Sequence, residues 1–329
     1  MTDDARPRFA LGARRGIAAC ASERGTFAVL ALDHRQNLRR ELRPDDPAAV
    51  SYEELVEFKR AVVRALAPLA TGTLLDPEIG AAQCIADGSL PASAGLLVAI
   101  EASGYEGPST ARVSRVLEGW SVEKAKRMGA SAAKLLVYYH PDAANAADQE
   151  RFVASVASDC RAADLPLFVE PLSFSLVEGE TLTGEARRQI VVETARRLTA
   201  IGGDVLKAEF PYDPSITDRA LWREACMELD AASSLPWVLL SAGVDEATFE
   251  AQVAIACEAG ASGVLVGRSV WAEAVTMEPG RRDAFLATTG SERLRRLADL
   301  VETRGRPWHD RPTRLTTSPM PGEGWYRDY

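Results

Sequence analysis

The stretch Gly203-Asp204-Val205-Leu206-Lys207-Ala208-Glu209-Phe210 reads as a β-strand with a primary amine at its centre. Apolar residues on both sides of the pleat leave no face for water, and strands of that kind belong to parallel sheets covered by helices. Lys207 is expensive in such a place, because an inward lysine must be paired or neutral. Its chemical use is as a nucleophile towards carbonyl carbon, forming a Schiff base once desolvation has favoured the free amine.

Working outward, similar runs rich in Val, Leu and Ile recur at Phe27–Asp33, Thr73–Glu78, Gly95–Glu101, Ala132–Tyr139, Pro166–Pro171, Trp237–Ser241 and Gly263–Gly267, with Asp204–Phe210 itself making eight. Helical periodicity separates most of them. Glu53–Leu69 carries Leu55, Phe58, Val62 and Leu66 near a 3.6 period, and Arg151–Ala163, Glu185–Ala200, Ala220–Ala231 and Ala247–Ala259 read similarly. The link between the second and third strands shows only a weak helical pattern. Eight strand–helix units in roughly 250 residues match a single-domain (β/α)8 TIM barrel. An open doubly wound sheet is the runner-up, but no GxGxxG follows an early strand.

The barrel is expected over residues 1–310 with an N-terminal extension, followed by an irregular tail over 311–329, rich in Pro, Gly and Trp. Pro279–Gly290 reads as a surface connection, and Ser291–Glu302 as a helix capped by Ser291.

In a barrel, the active site gathers at the C-terminal ends of the strands. Polar residues collect there: Asp33-His34-Arg35, Asp76-Pro77-Glu78, Glu101, Tyr138-Tyr139-His140, Glu170, Lys207-Ala208-Glu209, Ser241-Ala242-Gly243 and Gly267-Arg268. Strand ends are often polar merely because they exit to solvent. That does not explain Lys134, Glu170 and Lys207, which interrupt the apolar runs themselves. The strand period of two places Val205, Lys207 and Glu209 on one face, Lys134, Leu136 and Tyr138 on another strand's face, and Phe168 with Glu170 on a third. Two lysines and a glutamate then converge in one confined space. Burial beside a second ammonium is what lowers a lysine from near 10.4 by the roughly three units that neutral-pH nucleophilicity needs. A buried Lys–Glu pair that only stitches strands together is the plainer alternative.

The loops after strands seven and eight of such barrels commonly bind phosphate through backbone N–H groups. Ser241, Gly243 and Gly267 fit that use, and Arg268 adds a planar cation suited to an oxyanion. His34 and Arg35 are candidates for substrate contact. His309 reads as a surface residue, and one of Tyr138 and Tyr139 as core. The only histidines are His34, His140 and His309, without HxH or HExxH spacing, so neither a metal nor any other cofactor is expected. No GxSxG elbow supports a serine nucleophile.

Composition restricts the rest. A formal net charge of −9 with interspersed signs argues against nucleic acid or an anionic membrane surface as partner. No run reaches the roughly 18–20 apolar residues of a membrane span, and the acidic start Met1-Thr2-Asp3-Asp4 lacks a signal-peptide pattern. Five scattered cysteines without CxxC suit free thiols in a reduced cytoplasm.

Eight stretches together resemble the class I tagatose-1,6-bisphosphate aldolase family, which includes sulfofructosephosphate aldolases. They are ALDHR (31–35), LLDPEIG (74–80), EASGYEG (101–107), WSVEKAKRMGASAAKLLVYY (120–139), FVEPLSF (168–174), DVLKAEFP (204–211), LPWVLLSAGV (235–244) and SGVLVGRSVWA (262–272), in the family's order over roughly residues 27–310. The resemblance implies reversible cleavage of a phosphorylated ketohexose to dihydroxyacetone phosphate and an aldehyde. It makes Lys207 the Schiff-base lysine, Glu170 the acid/base, Lys134 the second active-site lysine and Asp33 the strand-one aspartate, with Ser241, Gly243, Gly267 and Arg268 as phosphate binders. The family usually has glutamine in place of His34 and a small aliphatic residue in place of Pro171. Both differences bear on the distal pocket. A sulfofructose 1-phosphate substrate, a metal-dependent aldolase or isomerase, and a catalytically idle sugar-phosphate-binding regulator are the alternative functions. Beyond a small-molecule sugar phosphate, the expected partner is a second copy of the chain, since barrels of this kind often associate through their helices.

Overall fold

A computed structural model describes residues 9–241, 243–327 and 329; the acidic start Met1–Asp4 and Ala242 of the strand-seven loop lie outside the described residues. Every one of the eight apolar runs forms a strand. They are β1 (Phe27–Leu32), β2 (Gly72–Leu75), β3 (Gly95–Ala99), β4 (Ala132–Tyr138), β5 (Leu167–Leu172), β6 (Val205–Ala208), β7 (Trp237–Leu240) and β8 (Gly263–Val266). They pair in parallel and in sequence order, and β8 returns to β1 to close the barrel.

Period two sorts the strand residues into two apolar cores. Val29, Leu74, Leu97, Phe168, Val205, Val238 and Leu265 point inward and fill the barrel. Their neighbours, among them Leu30, Leu75, Val98, Leu135, Val169, Leu206, Leu239 and Val264, point outward and meet the surrounding helices. The predicted helices appear at Tyr52–Leu66, Ala146–Ala162, Gly184–Ile201, Arg219–Ala232 and Glu246–Ala259. The first begins with a capping box, Ser51 accepting from Glu54 N–H while Glu54 accepts from Ser51 N–H. Between β2 and β3 the helix is a short one, Ala81–Ala86.

Two details of the sequence reading change. Pro279–Gly290 lies largely on the surface but is helical: Pro279–Phe285 runs through a wider turn, Leu286–Gly290, straight into Ser291–Arg304. Proline is tolerated in a helix's first turn, where its missing N–H has no partner to lose. The Leu286 side chain is buried and anchors the middle. Ser291 consequently sits inside a continuous helix, where its hydroxyl donates to the Leu286 carbonyl instead of capping.

The barrel's N-terminal end is shut by a helix, Leu11–Ala19, whose Ala13 and Ile17 join the inner core. Gly16 lies so close to the floor that a Cβ there would stand 2.1 Å from the Ser131 carbonyl oxygen. Asp164 accepts hydrogen bonds from the Gly12 and Ala13 N–H groups at the helix start. Beyond the last long helix the chain docks along the same end: Trp308 and Leu315 are buried, Arg311 pairs with Asp230, and Arg314 pairs with Asp204 at 2.7 Å. Gly16→Ala should lower stability by about 1–3 kcal/mol through overpacking. A shift of the urea midpoint with unchanged turnover per folded molecule would check this, because the floor lies at the opposite end from the strand C-termini.

On the outer wall Lys59 and Asp76 form a fully buried pair. Lys59 Nζ also donates to the Leu32 carbonyl at 2.9 Å, and Asp76 accepts from Glu78 N–H and Ile79 N–H at 2.9 and 2.8 Å. This network pins the last residue of β1 and the loop after β2, which bounds the active-site face.

Candidate active site

At the C-terminal mouth the inward layer turns from apolar to charged. Lys134 on β4 pairs in register with Phe168, Glu170 on β5 with Leu136, and Lys207 on β6 with Val238. Their side chains meet above the barrel core. Lys207 Nζ is 2.7 Å from Glu170 Oε1, and Lys134 Nζ is 2.7 Å from Glu170 Oε2. The same ammonium of Lys134 reaches Asp33 Oδ2 at 2.8 Å and Glu101 Oε1 at 2.7 Å. Lys134 is 1% exposed, Lys207 5% and Glu170 6%.

Lys134 is therefore enclosed by carboxylates from β5, the end of β1 and the end of β3. Burial alone would push it down. Asp33, Glu101 and Glu170 outweigh burial and hold it well above the ordinary lysine range. Burial likewise works to raise Asp33, but the Lys134 and Lys207 ammonium groups and the nearby His34 bring it far below the usual carboxylate range. Lys134 thus stays charged, as counter-ion to three acids. The asymmetry between the lysines is geometric: Lys207 touches one carboxylate, Lys134 three.

Glu101 does more than end a strand in polarity: it holds Lys134 and is itself held. Its second oxygen accepts from Leu136 N–H at 3.0 Å, which fixes the carboxylate against β4. Arg35 secures it from behind, donating to the Glu101 carbonyl at 2.8 Å and pairing with Glu78 at 2.6 Å. Arg35 is buried, so most of its donors serve this scaffold. Glu209, on the same face as Lys207 by period, turns aside: it accepts from Ser173 N–H and Oγ and pairs with Arg187 at 2.9 Å.

Ser241, Gly243, Gly267 and Arg268 come together beside this cluster. Gly267 N–H donates to Ser241 Oγ at 3.0 Å. Gly243 has φ +77°, a conformation that favours glycine, and the Arg268 guanidinium lies where a Gly243 side chain would point. Arg268 is 38% exposed and has Glu41 at 3.5 Å as its carboxylate neighbour. His34 lies between the two groups. Its ring meets Trp271 edge to face at 5.2 Å, and its Nδ1 is buried without a hydrogen-bond partner among the described residues.

The two lysines, Asp33, Glu101 and Glu170 line one cleft of about 760 Å³ with His34, Arg35, Ser241, Gly267 and Arg268, and Tyr105, Tyr138 and Leu172 complete it; Gly243 is not in its lining. Tyr138 forms a wall, whereas Tyr139 is core and donates to Glu150 at 2.5 Å. Opposite the arginine loop, Arg112 stacks over Tyr105, Tyr138 and Phe174, with its guanidinium carbon 4.7, 5.5 and 4.9 Å from the ring centroids. No sequence period marks Arg112, which lies in the long excursion between β3 and β4. His140 accepts from Asp142 N–H, and His309 is exposed. Among the described residues, no group of His, Cys, Asp or Glu is arranged to hold a metal ion.

A closed eight-stranded barrel whose inner layer ends in buried lysines and carboxylates has the parts an aldolase of the barrel lyases uses, an amine beside acids. The chain belongs to the DeoC/LacD family of aldolases, whose model matches residues 27–273. It is 30% identical over 321 residues to tagatose 1,6-diphosphate aldolase 2 of Streptococcus agalactiae, covering 91% of this chain and 98% of that one. Tagatose 1,6-diphosphate aldolase 1 of Streptococcus mutans is 31% identical over 318 residues, covering 88% and 96%. The protein is therefore an aldehyde-lyase. Its barrel also matches a solved Schiff-base-forming fructose-1,6-bisphosphate aldolase, with a TM-score of 0.57 at 24% identity over 88% of this chain and 99% of that one. An archaeal fructose 1,6-bisphosphate aldolase gives 0.57 at 23% identity over the same shares. Both of these are likenesses of fold.

Proposed function

We propose that the protein is a class I aldolase that cleaves a phosphorylated ketohexose of the tagatose or fructose 1,6-bisphosphate type to dihydroxyacetone phosphate and an aldehyde. The observation that carries this reading is the 2.7 Å contact of Lys207 with Glu170, beside a second lysine committed to three carboxylates.

In the proposed sequence Lys207 adds as the free amine to the C2 carbonyl. Glu170, in hydrogen-bonding reach, supplies the proton that lets the C2 oxygen leave as water, giving a protonated imine. Glu170, now a carboxylate, takes the C4 hydroxyl proton. The C4–C3 bond then breaks, its electron pair moves into the imine as an enamine, and C4 leaves as the aldehyde. Protonation of C3 and addition of water at C2 release dihydroxyacetone phosphate and restore the amine. Lys134 stabilises the negative charge developing on the C4 oxygen, and ionised Asp33 orients substrate hydroxyls. Glu101 and Arg35 position Lys134. Ser241, Gly243, Gly267 and Arg268 hold the C1 phosphate and so fix C2 against Lys207. We further infer a cytoplasmic site of action, where the five buried free thiols stay reduced.

Borohydride with a ketose bisphosphate is expected to block activity and leave a reduced adduct on Lys207, seen by mass spectrometry of the peptides. Undiminished activity after that treatment would sink the reading, and cleavage that is instead lost to EDTA would favour a metal-dependent route. Arg268→Ala should raise KM for the phosphorylated substrate roughly ten- to hundredfold, the cost of a charge-assisted hydrogen bond, with a smaller effect on kcat. Steady-state kinetics measure the split.

A further inference from the structure

His34 is placed at the seam between the reacting lysines and the arginine loop. Its ring carbon lies 3.4 Å from where a Cβ on Gly267 would stand, so it abuts the backbone whose N–H donates to Ser241 Oγ. Among the described residues, buried His34 Nδ1 and Arg268 Nε both lack hydrogen-bond partners. Unpaired polar atoms of this kind are costly unless something else completes them.

We propose that His34 is a proton-coupled part of the anion subsite, taking one proton from solvent when a dianion settles among Ser241, Gly267 and Arg268. This rests on the reading of that loop pair as the phosphate site and extends it to regulation of binding by pH. The charges around the imidazole explain why it waits for the ligand. Asp33 at the end of β1 favours protonation; Arg268 after β8, Lys207 on β6 and Lys59 on the outer helix oppose it, and burial opposes it most, so that the ring is pushed down to about 4. A dianion against the single positive charge of Arg268 leaves one negative charge uncompensated in a partly desolvated place. Imidazolium at His34 supplies the missing charge.

Glu41 is the competing proton acceptor, since it faces Arg268 and burial raises its carboxyl above the ordinary range. The two acceptors can be separated by substitution.

The probe is inorganic sulfate, which remains a dianion throughout the working range. Calorimetric titration of the full chain in two buffers of unlike ionisation enthalpy counts the protons taken up. The wild type should take up close to one proton, with affinity rising by up to about tenfold for each unit of falling pH between the free and bound titration points. His34→Gln should still bind sulfate, which itself reports a folded site, but without proton uptake or that pH dependence; His34→Asn is the second variant. Glu41→Gln should behave as wild type. A pH-independent wild type, proton uptake that survives in His34→Gln, or uptake lost in Glu41→Gln each overturns the proposal. Failure of sulfate to bind at any pH, with Lys207 still trapped by borohydride, overturns this subsite and spares the imine chemistry. Failure of trapping alongside normal proton-coupled sulfate binding does the reverse.

Discussion

Lys207→Ala is expected to lower kcat for aldol cleavage by roughly three to six orders of magnitude, the range seen when a covalent nucleophile is removed. The variant should nevertheless fold. Glu170 loses one cation but keeps Lys134 at 2.7 Å, so no buried carboxylate is stranded. Coupled release of triose phosphate measures the rate, and thermal unfolding measures the fold. Cleavage within tenfold of wild type in a folded Lys207→Ala protein would rule out the imine route. The expected dissociation of activity from stability separates a reacting lysine from one that only stitches strands, because a stitching lysine would lose stability and leave the residual rate untouched.

Lys134→Met should do the opposite in kind: a large loss of stability together with activity. Removing the ammonium leaves Asp33, Glu101 and Glu170 facing one another without their shared cation. Breaking a buried ion cluster from one side costs about 3–5 kcal/mol. The pH dependence follows from Asp33. Its folded pKa is depressed, by Lys134 ahead of Lys207 and against burial. Its stabilising contribution is therefore fully present above the unfolded value of about 3.9 and is lost as pH falls below it. In Lys134→Met much of that depression disappears and the crowded carboxylates bind protons more readily. The stability gap between variant and wild type should be widest near neutrality and narrow towards about pH 4. Denaturant titrations at several pH values would show the narrowing; a constant gap would contradict the three-carboxylate picture.

Much of this was readable in the chain because it rests on local rules. Period two and apolarity located every strand, and charges interrupting Ala132–Tyr138, Leu167–Leu172 and Val205–Ala208 marked Lys134, Glu170 and Lys207. Glu101 was not distinguishable in the same way. It ends an apolar run as several other polar residues do, and its importance comes from Lys134 approaching across a strand pair. Arg112 was invisible for a related reason, since its aromatic partners Tyr105, Tyr138 and Phe174 arrive from separate segments. In Pro279–Gly290, proline and glycine suggested a turn, but burial of Leu286 against the barrel outweighed the local preference. The assignment of Arg268 needed only its place after β8, whereas its neighbour Glu41 lies on a helix far upstream in sequence.

The closed floor has a kinetic consequence. With Leu11–Ala19 and the inner apolar core sealing one end, the cleft at the strand C-termini is the way in among the described residues, and on the proposed reaction substrate, both products and the hydrolytic water share it. On the proposed imine route a covalently held enamine cannot leave, so the aldehyde departs first through the cleft that Tyr138 and Tyr105 line, before water uses the same passage to free the tethered half. In the synthetic direction the tethered half waits while the aldehyde enters. The floor thereby makes every arrival and departure share the end at which the chemistry takes place.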